Sequence, residues 1–163
     1  MNEVQDLYVR NNEGGYQVAS DAQILAAGRN AANSLLASGP PMEQPKAVKE
    51  FFQAKLTGLG HECAAMLFLD AQMRLIKYVE LAHGTLSTAS VFPREIVKTA
   101  LCLNAAACIM SHNHPSGIPE PSRADLALTA QLKQALSLVD VRLLDHVIVS
   151  ATDAVSLAER GQC

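Results

Sequence analysis

Hydrophobic and polar residues follow distinct regimes along the chain, and each change of regime predicts an element. Residues 1–20 are mostly polar and are broken by Asn11-Asn12-Glu13-Gly14-Gly15, so little order is expected there beyond a short strand near Tyr16–Ala19. Asp21 suits an N-cap. Ile24, Leu25, Gly28, Ala31, Ala32, Leu35 and Leu36 then recur at helical spacing, until Gly39-Pro40-Pro41 stops the helix. Pro45 suits the first position of a second helix. Its buried face is Val48, Phe51, Phe52 and Leu56, and it ends at Gly58.

The pattern changes at Cys63–Leu69, an almost wholly apolar run that predicts a central strand. Asp70-Ala71-Gln72 turns the chain, and residues 74–82 return as the second strand of a hairpin. His83-Gly84-Thr85 breaks that strand. Pro93 opens a helix from Arg94 to about Leu103, with Ile96, Val97, Ala100 and Leu101 inward. Ala105–Ser111 reads as a short strand. Ser122–Leu138 reads as a helix with Leu128, Leu132 and Leu136 on one face, and Arg142–Ser150 as a further strand. Val155–Ala158 adds an edge. An early hairpin, then strands separated by helices, predicts an α/β fold with a mixed central sheet flanked by helices.

Composition narrows the function classes. At 163 residues and 49% hydrophobic, the chain can bury a full core. Its net charge of -3 lacks the basic footprint of a nucleic-acid partner. No apolar run is long enough to span a bilayer, and the acidic start does not resemble a secretory signal. The expectation is a cytoplasmic protein without a membrane partner. The four cysteines form no C-x-x-C pair, and Cys63, Cys102 and Cys108 are expected as buried, reduced thiols. Residues 1–44 read as an extension carrying one amphipathic helix, ahead of a domain over 45–163. The apolar face of residues 21–38 offers a surface for a second copy.

The candidate chemistry is concentrated in residues 109–125. His112 and His114 stand two apart at a strand end and therefore project to the same side. A turn rich in Pro and Gly follows, and Asp125 lies one turn inside the next helix. Two imidazoles and a carboxylate would leave a fourth position open, as catalytic zinc sites do. A second reading competes: Ser122-x-x-Asp125 has the form of a capping box. The site also needs a base, and Glu62, just before the buried run, is the best candidate. The alternative for Glu62 is an exposed carboxylate at a strand end. Asp145 and His146 must face opposite sides of their strand. One of them could touch the metal ligands, though a structural role is the stronger reading for both. Asn104 is expected to support a strand entry, Arg94 to pair with a carboxylate or bind substrate, and Ser116 and Gly117 to shape the turn. His61 and His83 read as surface or turn residues.

Taken together, His112-x-His114-x7-Ser122-x2-Asp125 with an upstream glutamate resembles the JAMM motif of the JAB/MPN metalloprotease superfamily. Gly84-Thr85, Pro93-Arg94-Glu95-Ile96, His112-Asn113-His114-Pro115-Ser116-Gly117, Pro119-Glu120-Pro121-Ser122, Leu144-Asp145-His146-Val147-Ile148-Val149 and Ser156-Leu157-Ala158-Glu159-Arg160-Gly161 resemble its RadC-like branch, over about Pro45–Gly161. The resemblance implies a sandwich like that of the cytidine deaminases. It implies a Zn2+ ion on His112, His114 and Asp125, Glu62 as the residue that activates the attacking water, and Ser122 as the oxyanion donor. The implied activity is hydrolysis of peptide or isopeptide bonds in a protein or peptide substrate. Two alternatives are a non-enzymatic interaction module and an accessory role in DNA repair. The second rests on the family name, and residues 1–44 lack the helix-hairpin-helix character of longer members.

Overall fold

The computed structural model describes residues 6–11, 14–37, 41–84 and 91–163, with residues 35–37 described by their backbone alone. The expected helix stop at Gly39-Pro40, the side chains of Leu35 and Leu36, and Thr85 lie outside the described residues.

The N-terminal region carries a small antiparallel ribbon, β1 (Tyr8–Arg10) on β2 (Tyr16–Val18). The sequence predicts only the second of these strands. The turn between them includes Gly14 at φ +86, a conformation that costs glycine little. Helix α1 (Asp21–Ala37) follows and packs on α2 (Pro45–Leu56), which starts with Pro45 in its first turn as expected.

The main sheet has the order β4-β3-β5-β6-β7, with β3 Cys63–Leu69, β4 Leu75–His83, β5 Ala107–Asn113, β6 Arg142–Val149 and β7 Ala154–Ser156. Only the β5–β6 pair is parallel, so the sheet is mixed. Strand β3 lies between β4 and β5 and is buried on both faces, which is why its sequence is apolar throughout. Ala64, Met66 and Phe68 join Met110, Leu128 and Leu132 on the side of α3 (Pro93–Cys102) and α4 (Arg123–Ser137). Cys63, Ala65 and Leu67 join Phe51, Phe52 and Leu56 on the side of α2. Two apolar layers thus clamp one sheet.

Two expectations for α3 fail together. Leu101, expected inward, is 55% exposed, and Cys102, expected buried, is exposed. Ile96 and Ala100, four apart, carry the buried face, and residues one and two further on rotate away from it. Cys63 and Cys108 are buried as expected, and burial pushes their thiols up to about 11 and about 12, with Glu80 adding to the rise at Cys63. Arg94 pairs with the neighbouring Glu95 at 3.3 Å. Asn104 takes the left-handed conformation (φ 51) that ends α3 before the chain enters β5.

A bulge in β6 decides which side chains face the helices. Cys108 pairs with Leu143 but Ile109 pairs with Asp145, so Leu144 is extra. Asp145 therefore turns to the α2 side and His146 to the α4 side, level with Met110. The Asp145 carboxylate accepts from the His146 and Ala158 backbone N–H groups at 2.7 and 2.9 Å and from the Ser156 hydroxyl at 2.6 Å. It fastens the C-terminal turn to the sheet, the structural role expected of it. Asp145→Ala strips a charged acceptor from three buried or half-buried donors and is expected to cost about 3 kcal/mol. The check is the denaturant midpoint at unchanged m; a loss within measurement error would remove this role.

Candidate metal centre

Strand β5 carries His112 to its C-terminal end, and His114 follows just beyond, its N–H still bonded to the Val149 carbonyl at 2.8 Å. The extended backbone keeps both imidazoles on the α4 side. The loop then turns through Gly117 (φ +84) and delivers the chain to Ser122, the N-cap of α4. Asp125 points back toward the sheet from the first turn of that helix. Its Oδ1 lies 3.2 Å from His112 Nε2, its Oδ2 lies 3.7 Å from His114 Nε2, and the two Nε2 atoms are 2.9 Å apart. Ligands about 2 Å from a tetrahedral ion stand about 3.3 Å from one another. The three side chains bracket that spacing.

The capping-box reading of Ser122 and Asp125 is realised, and it uses only one of the two carboxylate oxygens. The capping box is complete: Ser122 Oγ accepts from the Asp125 N–H, and Asp125 Oδ2 accepts from the Ser122 N–H at 2.7 Å and from its hydroxyl at 2.6 Å. That leaves Oδ1 facing His112. Burial alone would raise the Asp125 pKa, but its contacts with His112 and Ser122 outweigh burial and hold it well below the usual carboxylate range.

Hydrogen bonding behind the histidines fixes their tautomers. The Thr129 hydroxyl donates its one proton to the Asp125 carbonyl at 2.7 Å, so its oxygen accepts from His146 Nδ1–H at 2.6 Å. Burial first, and then the neighbouring His112, lower the His146 pKa to about 3 and hold the ring neutral. Its Nε2 is then bare and accepts from His112 Nδ1–H at 2.8 Å. His114 Nδ1–H donates to the Ile118 carbonyl at 2.9 Å. In the neutral form of each ring these bonds leave Nε2 as the bare nitrogen, and both Nε2 atoms face the same point beside the Asp125 carboxylate. Two imidazole nitrogens and a carboxylate converging on one point are a donor set that fits a bound cation.

This arrangement revises the reading of His146. The ring stands behind His112 in the outer position that metal-binding imidazoles commonly use, whereas Asp145 on the other face is structural. Thr129, one helical turn after Asp125, and Asn113 were not singled out in the sequence. The i, i+4 spacing is the signal that points to Thr129. Asn113 looks like a spacer between two histidines, yet its amide ties β5 to the start of β3. Its Oδ1 accepts from the Cys63 N–H at 2.7 Å and its Nδ2–H donates to the His61 carbonyl at 3.0 Å.

Those two bonds bracket Glu62. The β3–β5 register ends at Ala64, paired with His112, so Glu62 lies two residues beyond that pair, in the segment that Asn113 ties to the end of β5. Its backbone is held on the other flank by the Gly84 N–H, which donates to the Glu62 carbonyl at 2.8 Å. Glu62 is half-buried, just ahead of the first residue of β3.

A mixed sheet between two helical layers, with His-x-His at a strand end and an aspartate on the next helix, is the arrangement of a JAB domain. Comparison with known families agrees: the RadC-like JAB domain profile matches residues 42–162, and the chain belongs to that family. A UPF0758 protein of Methylibium petroleiphilum is 56% identical over 140 residues, covering 86% of this chain and 63% of the relative. One from Saccharophagus degradans is 46% identical over 157 residues, covering 96% and 70%. One from Vibrio cholerae is 59% identical over 112 residues, covering 69% and 70%. The chain thus spans somewhat under two thirds of the Methylibium relative. No described helix is long and apolar enough to cross a membrane.

Removing the imidazole behind His112 is expected to weaken metal binding about 10- to 100-fold. His146→Ala, measured by competition with a chromophoric chelator, tests this, and Thr129→Val should shift affinity in the same direction. Wild-type affinity in both variants would break the tautomer argument.

Proposed function

We propose that the chain is a zinc-dependent hydrolase of peptide or isopeptide bonds. The observation that carries this reading is the convergence of two Nε2 atoms and one carboxylate oxygen of His112, His114 and Asp125. Three protein ligands with an open fourth position are the mark of catalytic zinc. When bound, zinc supplies Lewis acidity, polarising the scissile carbonyl and lowering the pKa of an attacking water.

The remaining work falls to the chain's own residues. Glu62 takes the proton of the attacking water and returns it to the leaving amine. Asn113 holds the backbone on both sides of that glutamate, so the base keeps its place relative to the ligands. Ser122 has to turn its hydroxyl from Asp125 Oδ2 toward the developing oxyanion, exchanging one charged acceptor for another. Asp125 keeps the Ser122 N–H on Oδ2 throughout, so the cap survives the exchange.

Two sets of variants test the assignment. Glu62→Gln should retain one zinc per chain and lose turnover, whereas His112→Ala should lose the zinc as well; the readouts are metal analysis and a peptide and isopeptide library screen with the zinc-loaded protein. Full activity in Glu62→Gln, or zinc retained at the wild-type level in His112→Ala, would defeat the reading. Ser122→Ala should reduce kcat about 10²- to 10³-fold if its hydroxyl meets the oxyanion. An unchanged kcat would confine Ser122 to the helix cap.

A further inference from the structure

A second group of ligand-type side chains lies on the opposite face of the sheet. The sulfur of Cys63, a carboxylate oxygen of Glu80 and a ring nitrogen of His83 all stand within 4.8 Å of one another. Chain geometry puts them there through a defined irregularity. Cys63 pairs with His83 and Ala64 with Ala82, but Ala65 pairs with Glu80, which leaves Leu81 as an extra residue. In a regular strand, residues 80 and 83 would point to opposite faces. The bulge brings both to the face of Cys63, an effect that bulges commonly have beside functional sites.

The contacts around these atoms are ordered. His83 Nε2 stands 3.3 Å from Glu80 Oε2, and its Nδ1 faces His61 Nε2 at 3.3 Å. The other oxygen, Glu80 Oε1, accepts from the Tyr78 hydroxyl at 3.1 Å. Cys63 is fully buried, and its sulfur makes only a long contact of 3.9 Å with the Ala64 carbonyl. Glu80 and His83 form the exposed rim. An ion can therefore enter from solvent and meet a sulfur at the floor.

We propose that Cys63, Glu80 and His83 form a second metal site, separate from the His112 centre and suited to zinc, with His61 orienting the His83 ring. A thiolate and a carboxylate together neutralise a divalent ion, and the thiolate selects zinc over magnesium or calcium. On binding, the sulfur–metal bond forms as the thiol proton leaves to solvent, with no change of oxidation state. With Nε2 on the ion, His83 Nδ1–H donates to His61, the usual outer support of a ligand imidazole. The site adjoins Glu62 and ties the end of β4 to the start of β3, so its occupancy braces the segment that carries Glu62.

Cobalt(II) titration of the metal-free full chain tests the site. No cysteine belongs to the His112 centre, so a sulfur-to-cobalt charge-transfer band in the near-ultraviolet reports the second site alone. The expected result is one equivalent of cobalt with that band, erased by zinc and absent in Cys63→Ser. The band should survive in Cys102→Ser and in Cys163→Ser. His83→Ala and Glu80→Gln, both on the exposed rim and harmless to the core, should each weaken the band's titration at least about tenfold. A wild-type chain without the band, a band that persists in Cys63→Ser, or unchanged titration in both rim variants would overturn the proposal. None of these outcomes bears on metal at His112 or on hydrolysis.

Discussion

The Asp125 carboxylate holds the centre together because its two oxygens do different work. Oδ2 closes the capping box with Ser122 and so fixes where α4 begins. Oδ1 faces His112 at the end of β5. The helix start and the metal centre therefore share one side chain, and neither can move without the other. A capping box alone contributes about 1 kcal/mol to a helix; here it also aims the other carboxylate oxygen at His112. The Thr129 hydroxyl on the Asp125 carbonyl extends the same constraint one turn along the helix and joins it to His146 in the sheet.

Much of this was legible in the sequence. The apolar run of β3, the Pro45 and Pro93 helix starts, and the leucine spacing of α4 located the elements because each pattern follows from burial or from a missing N–H. The spacing of His112, His114 and Asp125 pointed to the candidate metal centre because all three lie in one short segment. What stayed hidden was strand parity. Leu143 and Leu144 are both apolar, so nothing in the sequence marks Leu144 as the extra residue of a bulge. Yet that bulge decides whether Asp145 or His146 faces His112. The Leu81 bulge is concealed in the same way, and it alone brings Glu80 and His83 to one face. The β1 strand was missed because two exposed three-residue strands bury too little to leave a pattern.

The sheet's chemistry follows from these two irregularities more than from its regular pairing. Regular register aligns Ala64 with His112 and so brings the Glu62 segment beside the end of β5. The bulges then choose which polar side chains look toward α4 and which toward α2. In an otherwise apolar sandwich, where Met66, Phe68, Met110 and Leu67 fill both layers, a shift of one residue exchanges a hydrophobic contact for an imidazole.

The ligand loop has a consequence for how the centre assembles. His112 and Asp125 are 13 positions apart (125 − 112), whereas Glu62 is 50 positions from His112 (112 − 62). Closing the longer loop costs about 1 kcal/mol more by chain entropy alone, and it also requires β3 to have found β5. His112, His114 and Asp125 form a nearly local unit, able to come together once one strand end and one helix start are in place. Glu62 arrives only with long-range pairing. Assembly of the candidate metal centre and the arrival of Glu62 beside it are thus two separate events in the life of the chain.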